Sequence, residues 1–367
     1  MRIAHVSDCY LPRTGGIETQ VRSLALAQQV RGDAPRIITA TPAAAEPRGG
    51  RSHIDDLPVD RLSMRLPGDL PVHPRTRAHV VDLLRDEPVD VVHIHLGAVS
   101  PFAWGALRAT AEMGLPTVVT VHSMWGPLSQ RGYRTARTLL GRPGCVVSAV
   151  SGVAARAVSD ALGRPVEVLP NGIDPVPWRH AHPVPRVAGR LRVVTVARLA
   201  PRKRIPELIR ALARARVLLE SDVHLDATVI GDGPLRTRIE RLARGLDIDI
   251  RFTGRLDADA IRAVFGRSDA FVQASVRESF GIAALEARTF GLPVIARSQS
   301  GTSEFIHDGI EGLLAPDDRR LADAIVHLGL DRRLGERIAT HNVEVVPRET
   351  WPIVCGEASR LYAVAGA

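Results

Sequence analysis

The stretch AFVQASVRESFGIAALEARTFGLPVI, residues 270–295, decides the fold of this 367-residue chain. An apolar strand pattern at 270–273 precedes a polar turn, and a helical pattern at 281–290 then stops at Gly-Leu-Pro. A second apolar strand pattern follows at 293–295. A strand, a helix and a strand in this order form a βαβ unit with parallel strands. The stretch therefore predicts an α/β domain built on a parallel sheet.

The same alternation continues through the chain on both sides of a proline-rich segment at 170–185. It predicts two Rossmann-like, doubly wound domains, at 1–180 and 181–345, and a C-terminal helix within 346–367. Sheets of this kind bind ligands beyond the carboxyl ends of their strands. The predicted strands are 3–6, 36–39, 89–94, 117–121, 145–150, 166–169, 192–196, 226–230, 250–252, 270–273 and 293–295. The connection at 43–74 looks irregular.

Composition and charge limit the class of partner. The net charge of +8 suits an anionic partner. Nucleic acid is not expected, since aromatic residues are only 4% and do not interleave with basic runs. Three widely spaced cysteines indicate neither disulfides nor a zinc site. With no apolar run of membrane length and no leader pattern, we expect a cytoplasmic protein.

An anion site is predicted where the strand at 270–273 turns into its helix. Glu278 lies in the turn, Gly281 opens the helix, and Glu286 occupies its second turn. The first N–H groups of a helix and its dipole favour negative charge. Glu278 either interacts with that dipole alone or binds a hydroxyl group of the molecule that carries the anion.

Lys203 is the single lysine among the 48 Lys and Arg residues. An ammonium group is a compact point charge, whereas a guanidinium is a wide planar fork, so the exception favours a tight phosphate pocket. Arg198 and Lys203 both follow the strand at 192–196 and together form a candidate diphosphate clamp. The alternative is a solvated basic turn, since Arg202 and Arg204 flank the lysine.

Gly15 and Gly16 precede the first helix and allow a ligand to approach the backbone closely. They do not form a dinucleotide fingerprint, because G-x-G-x-x-G is absent. His122 ends the strand at 117–121, where it either contacts a substrate or serves the structure. His93 and His95 alternate on one strand face and are expected to pack beneath such a site.

No metal site is expected. The D-x-D triplet at 247–249 lies in a loop, and Asp257 of the second triplet, 257–259, stands where a helix N-cap should be. Metal ligation by the histidines lacks a third ligand in the sequence pattern.

Taken together, these segments resemble the retaining glycosyltransferases of family 4, which have the two-domain GT-B fold with two domains facing a central cleft. The resemblance covers nearly the whole chain. It rests on the following segments: Gly15-Gly16-Ile-Glu18, Val91-Val-His93-Ile-His95, Val121-His122, Pro170-Asn171-Gly-Ile-Asp174, Val196-Ala-Arg198-X4-Lys203, Ile230-Gly231-Asp-Gly233-Pro234, Phe252-Thr-Gly254 and Glu278-X7-Glu286.

The resemblance implies a role for each matching residue. Arg198 and Lys203 would neutralise the diphosphate of a nucleotide-sugar donor, Glu278 and His122 would contact the sugar, and Glu286 would hold the ribose. Asn171 and His95 are assigned to the acceptor or interdomain region. The remaining donor-binding residues implied are Gly15, Gly16, Gly254, Arg255, Leu256, Phe280, Gly281, Ile282 and Ala283.

The implied enzyme moves a sugar from a UDP- or GDP-sugar to an acceptor hydroxyl with retention, needing neither metal nor cofactor. The N-terminal domain would bind the acceptor, on a membrane lipid or envelope glycan, and the C-terminal helix would pack on that domain. Alternatives are a sugar-nucleotide epimerase, a phosphorylase, or a binding module without activity. Arg131, Arg134 and Arg137 recur every three residues, which indicates either peripheral contact with the anionic inner face of the membrane or a solvated face.

Overall fold

The computed structural model describes residues 1–13, 15–43, 49–63, 73–124, 134, 136–220, 222–246 and 248–367. It divides into two compact units. The first comprises Met1–Gly172 and Glu349–Ala367, and the second Ile173–Arg348. The sequence placed these limits at 180/181 and 345/346. The predicted α/β class with two parallel-sheet domains is confirmed.

The first unit contains an eight-stranded sheet of order β3-β4-β2-β1-β5-β6-β7-β8. β3 pairs antiparallel with β4, and the other neighbouring strands pair in parallel. Its elements are β1 Arg2–Ser7, α1 Gly16–Val30, β2 Ala34–Thr39, β3 Gly50–Ile54, β4 Leu57–Arg61, α2 Thr76–Asp86, β5 Val91–Leu96, α3 Pro101–Glu112, β6 Thr117–Val121, α4 Arg137–Leu140, β7 Cys145–Ala149, α5 Gly152–Leu162, β8 Glu167–Val168 and α12 Trp351–Ala365.

The strands β5 and β6 are buried along their whole length, as expected for parallel strands covered on both faces. Helix α12 packs against α1, β6 and β7 and belongs to this unit. Its buried Val354, Leu361 and Tyr362 share a cluster with Ile3 of β1. The C-terminal helix therefore covers one face of the first sheet.

The connection at 43–74 is not irregular throughout, which corrects the sequence interpretation. Its described part contains the hairpin β3–β4, whose turn residues Asp55 and Asp56 have φ values of 52° and 62°. Two left-handed residues are typical of a type I′ hairpin turn, which matches the twist of the strands. Residues 44–48 and 64–72 lie outside the described part.

The second unit contains a six-stranded parallel sheet of order β11-β10-β9-β12-β13-β14. Strand β14 and helix α11 were not predicted. The elements are β9 Arg190–Val196, a 3₁₀ turn Pro201–Lys203, α6 Ile205–Leu219, β10 His224–Ile230, α7 Arg236–Gly245, β11 Ile250–Gly254, α8 Ala258–Phe265, β12 Ala270–Val272, α9 Ile282–Phe290, β13 Val294–Arg297, a 3₁₀ turn Gly301–Glu304, β14 Gly312–Ala315, α10 Asp318–Leu330 and α11 Arg332–Glu344.

Each sheet places its candidate functional residues just beyond the carboxyl ends of its strands. Arg198 follows β9 and Glu278 follows β12, while His122 follows β6. Within the described part of the chain, no helix combines the length and the apolar character that crossing a bilayer requires.

Candidate functional site

Gly281 fixes the shape of the turn between β12 and α9. Its φ is 100°, in the region that L side chains rarely adopt, and it directly precedes the first residue of α9. A Cβ atom there would overlap the Thr302 hydroxyl and approach Gln273 Oε1 to 3.2 Å. Glycine therefore lets this turn pass close to two polar side chains at the start of α9.

Lys203 and Glu278 meet in this region. Lys203 Nζ lies 2.6 Å from Glu278 Oε2, and both side chains are largely buried. Gln273 Nε2 donates a second hydrogen bond to the same oxygen at 3.1 Å, and Thr302 Oγ1 donates to Gln273 Oε1 at 2.8 Å. The structure thus joins the predicted lysine and glutamate and adds two residues, Gln273 and Thr302, that the sequence interpretation missed.

The ammonium group of Lys203 has three N–H donors, of which Glu278 takes one. Its two other donors suit an anion near the start of α9, where the helix dipole also favours negative charge. Arg198 lies on the loop between β9 and the 3₁₀ turn and is exposed. Among the described residues, none forms a hydrogen bond or an ion pair with the Arg198 side chain.

Glu286 lies in the second turn of α9. Burial of its carboxyl group raises its pKa to about 8, so that the group is largely protonated at neutral pH. A neutral carboxyl group both donates and accepts hydrogen bonds, which suits an array of hydroxyl groups. Ile282 and Ala283 lie in the first turn of the same helix, and Phe280, two residues before the helix begins, is buried.

Three glycines bring backbone segments of the second unit together. A Cβ atom on Gly231 would overlap the carbonyl oxygen of Ala197, and one on Gly233 would lie 2.6 Å from that of Leu199. Gly231 N donates to Gly254 O at 2.7 Å, where β11 ends with a φ of 75°. The segment Gly254-Arg255-Leu256, which the resemblance assigns to the base, leaves the sheet from this point.

In the first unit, His95 near the end of β5 lies in contact with His122, the first residue after β6. His95 Nδ1 is 3.0 Å from His122 Nε2. Burial lowers the pKa of His122 to about 4, and a hydrogen bond with the Asn171 side chain opposes that effect. A small cavity is lined by these three residues together with Trp351. The structure therefore brings together the predicted His122, His95 and Asn171.

His5 on β1 was missed by the sequence interpretation. It lies with His93 and His95 close enough for three ring nitrogens to hold a metal ion. Each of the six ring nitrogens of these residues, however, has a hydrogen-bond partner. The cluster is therefore better suited to hydrogen bonding than to metal ligation. The expected absence of a metal stays a prediction.

Gly15 and Gly16 are exposed at the start of α1, as the prediction of a ligand approach requires. Glu18, in the first turn, folds back so closely against Gly15 that a Cβ atom on Gly15 would lie 2.5 Å from its carboxylate. A carboxylate near a helix start is favourable in the absence of another anion.

The predicted N-cap at Asp257 is confirmed, since its carboxylate accepts from Ala260 N at 2.8 Å. Asp259 pairs with Arg262 on the same helix. Asp249 is exposed, and Asp247 lies outside the described residues. Both aspartates of the triplet at 257–259 therefore have structural roles in helix α8.

Comparison with known proteins places the chain in a family. Residues 14–176 match the model of Glycosyltransferase Family 4, and residues 190–331 match that of Glycosyl transferases group 1. The chain is 30% identical to a phosphatidyl-myo-inositol mannosyltransferase of Mycobacterium leprae, covering 99% of this chain and 96% of that protein. It is 27% identical to a GDP-mannose-dependent alpha-mannosyltransferase of Mycolicibacterium smegmatis, covering 97% and 96%.

A solved structure of Anabaena HepE in complex with UDP and glucose has a TM-score of 0.77 and 21% identity, covering 99% of both chains. At this identity the likeness supports the GT-B fold. The 30% identical relative, matched over almost its full length, carries the family assignment. The chain therefore belongs to glycosyltransferase family 4, and it is a hexosyltransferase of the GT-B type that acts on a nucleotide-sugar donor.

Proposed function

We propose that this enzyme transfers mannose from GDP-mannose to a hydroxyl group of an inositol phospholipid, with retention at the anomeric carbon and without a metal ion. Lys203 and Arg198 bind the diphosphate, Glu278 and His122 bind the sugar, and Glu286 binds the ribose. The backbone at Gly15, at Gly16 and at the start of α9 also binds the donor. The segment 254–256 contacts the base.

The observation that carries the proposal is the contact between Lys203 and Glu278 at the start of α9. The Lys203 ammonium group can bind a phosphate oxygen, and the Glu278 carboxylate, 2.6 Å away, can accept hydrogen bonds from sugar hydroxyl groups. In a sugar nucleotide, these two chemical groups are joined at the bond that breaks. Gln273 holds the carboxylate from its other side.

Charge separation is the main physical problem of the reaction. Cleavage of the bond between sugar and phosphate leaves negative charge on the diphosphate and positive charge on the sugar. Donors that are fixed before the reaction stabilise such charge at little cost of reorganisation. Lys203, Arg198 and the N–H groups of α9 supply positive charge without a metal. Retention follows when the acceptor hydroxyl attacks the anomeric carbon on the face from which the diphosphate leaves, and an oxygen of the leaving diphosphate takes the hydroxyl proton.

The names of relatives support the donor and the acceptor. Relatives from Mycolicibacterium and Mycobacterium are named GDP-mannose-dependent mannosyltransferases, and the relative with 30% identity is named for phosphatidyl-myo-inositol. An acceptor in a bilayer requires contact of the enzyme with a membrane surface. We propose peripheral contact with anionic lipids on the cytoplasmic face, which the net charge of +8 favours. Arg131 of the predicted basic segment lies outside the described residues.

The test is a transfer assay with radiolabelled GDP-mannose and vesicles of phosphatidylcholine with or without phosphatidylinositol. We expect labelled lipid only when phosphatidylinositol is present, an α-linkage in the product, and unchanged turnover in EDTA. Parallel reactions with UDP-glucose and UDP-N-acetylglucosamine test the donor. Transfer from a UDP-sugar but not from GDP-mannose would contradict the donor assignment.

The same assay separates the two alternative enzyme classes. An epimerase converts the sugar nucleotide without an acceptor, and a phosphorylase requires inorganic phosphate. Release of GDP that depends on the lipid would exclude both. Sedimentation with phosphatidylcholine and phosphatidylglycerol vesicles tests membrane contact, since equal sedimentation with both would contradict a preference for anionic lipids.

A further inference from the structure

A continuous chain of buried hydrogen bonds connects the C-terminal helix to His122. Tyr362 of α12 accepts a hydrogen bond from Gln28 Nε2 at 2.9 Å, and Gln28 Oε1 lies 2.7 Å from His5 Nε2. His5 Nδ1 is 3.0 Å from His95 Nε2, whose other ring nitrogen contacts His122. Gln28, His5 and Tyr362 have no role in the family resemblance.

A branch leaves the same tyrosine in a second direction. The Tyr362 hydroxyl lies 2.8 Å from His93 Nδ1, and His93 Nε2 lies 2.7 Å from the hydroxyl of Thr120. Thr120 in turn hydrogen-bonds to Ser148 at 2.8 Å. The branch shares Tyr362 with the hydrogen-bond chain that leads to His122, but it does not include His122. A variant that interrupts only the branch therefore serves as a control for one that interrupts the chain to His122.

All four histidines are neutral at pH 7. Burial lowers the pKa of His5 and His122 to about 4 and takes the pKa of His93 and His95 well below the ordinary value. A neutral imidazole has one N–H donor and one acceptor nitrogen. In a chain of such rings, the direction of the first hydrogen bond therefore determines the direction of all that follow.

Gln28 sets that direction. Its Oε1 atom only accepts, so His5 carries its proton on Nε2 and accepts with Nδ1. His95 must then donate with Nε2, and His122 must also donate with Nε2, which makes Nδ1 of His122 an acceptor. The hydroxyl of Tyr362 accepts from Gln28 and donates to His93 Nδ1, which gives His93 the same tautomer.

The opposite direction is disfavoured collectively. It requires a rotated Gln28 amide and a proton on Nδ1 of all four rings. The Nε2–H tautomer is the intrinsically more stable form of a neutral histidine side chain, and in the observed direction all four rings adopt it. The tautomer preferences of the four rings therefore add up and favour the same one of the two hydrogen-bond directions.

We infer that Gln28 and Tyr362 are positioning residues that, through His5 and His95, hold His122 in its Nε2–H tautomer. Nδ1 of His122 is then an acceptor, which suits the amide N–H of its partner Asn171 and also a hydroxyl group of the donor sugar, and the contact with the sugar rests on the proposed function. The tautomer itself does not depend on which sugar is bound. Second partners of this kind fix ring orientation in other histidine sites.

The test is two-bond ¹H–¹⁵N correlation NMR on full-length protein labelled at histidine, with His122 assigned by its loss in His122→Asn. Ring nitrogen shifts distinguish the two tautomers. In the wild type at pH 7.5 we expect Nε2–H at His122. A proton on Nδ1, or an averaged signal, would overturn the inference without any variant.

Two variants then separate positioning from folding. Gln28→Met interrupts the hydrogen-bond chain that leads to His122, whereas Thr120→Val interrupts only the branch, and each variant removes two buried hydrogen bonds. We expect a mixed His122 tautomer and a roughly tenfold lower turnover with GDP-mannose in Gln28→Met. In Thr120→Val we expect the tautomer unchanged and turnover within about twofold of the wild type.

An unchanged His122 tautomer in Gln28→Met, or equal losses of turnover in both variants, would overturn the inference. Failure of the proposed function has a different signature. In that case, the wild type shows the expected tautomer and the expected response to Gln28→Met, but it transfers no mannose from GDP-mannose.

Discussion

Lys203 illustrates how much of the site depends on a single residue. In a chain that otherwise uses arginine among Lys and Arg, the 2.6 Å contact with Glu278 places a compact point charge beside a largely buried carboxylate. A guanidinium would place its charge farther from the backbone and spread it over a plane. The composition and the geometry thus support the same conclusion about this position.

We predict that Lys203→Ala lowers turnover with GDP-mannose by about a hundredfold, since it removes a preorganised charge donor. Lys203→Arg should not restore it. Arg202→Ala, at the exposed neighbouring position, is the matched control and should stay within about twofold of the wild type. Steady-state kinetics on the three variants would contradict the assignment if Lys203→Ala were nearly as active as Arg202→Ala.

Glu286 gives a prediction of pH dependence. Burial raises its folded-state pKa to about 8 from 4.5, so its contribution to stability is fully present below pH 4.5 and is lost as the pH rises through about 8. Glu286→Gln lacks this ionisation. We expect the free energy of unfolding to fall more steeply between pH 5 and 8 in the wild type than in Glu286→Gln.

Urea denaturation at several pH values measures this difference. Parallel pH dependence in the two proteins would show that the Glu286 carboxyl group is already ionised in the folded protein at neutral pH.

At the scale of elements, the turn between β12 and α9 depends on Gly281. We predict that Gly281→Ala destabilises the second unit by roughly 2–4 kcal/mol, from left-handed strain together with overlap at Thr302. Gly309→Ala is the control, because Gly309 also has a positive φ, 78°, but a Cβ atom there meets nothing within 4 Å. It should cost only about 1 kcal/mol.

Thermal and urea denaturation of both variants provide the measurement. Equal destabilisation would show that strain alone matters at Gly281 and that the contact with Thr302 is unimportant. Turnover should follow the same order, because the turn also holds Glu278.

The alternation of strands and helices was predictable because apolar periodicity is local. The hairpin β3–β4 was not, since Asp55-Asp56 is a less common turn pair than Asn-Gly and the strands are short and charged. Local motifs also located Glu278 and Lys203. Their contact joins residues 75 positions apart, so only the folded sheet reveals it. Gln28 and Tyr362 lie in ordinary helical patterns and give no signal of their own.

At the scale of the whole molecule, the buried histidines make stability depend on acid. Their folded-state pKa values are lowered, so their contribution is present above about pH 6.5, the ordinary value, and is lost as the pH falls towards about 4. We predict that the first unit loses stability steeply between pH 6.5 and 4.5, before the second unit does.

Hydrogen exchange followed by mass spectrometry at pH 7 and 5 distinguishes the units. Faster opening at pH 5 in peptides from β1, β5 and β6, after correction for intrinsic rates, is the expected result. Equal stability at both pH values would contradict the neutral, buried state of His5, His93, His95 and His122.

The most direct test of the central claim is calorimetric titration of the wild type and Lys203→Ala with GDP-mannose. The account predicts saturable binding by the wild type and affinity lower by at least about tenfold in the variant, the scale of one hydrogen bond to a charged group. Equal affinities, or no binding of any sugar nucleotide by the folded wild type, would contradict it.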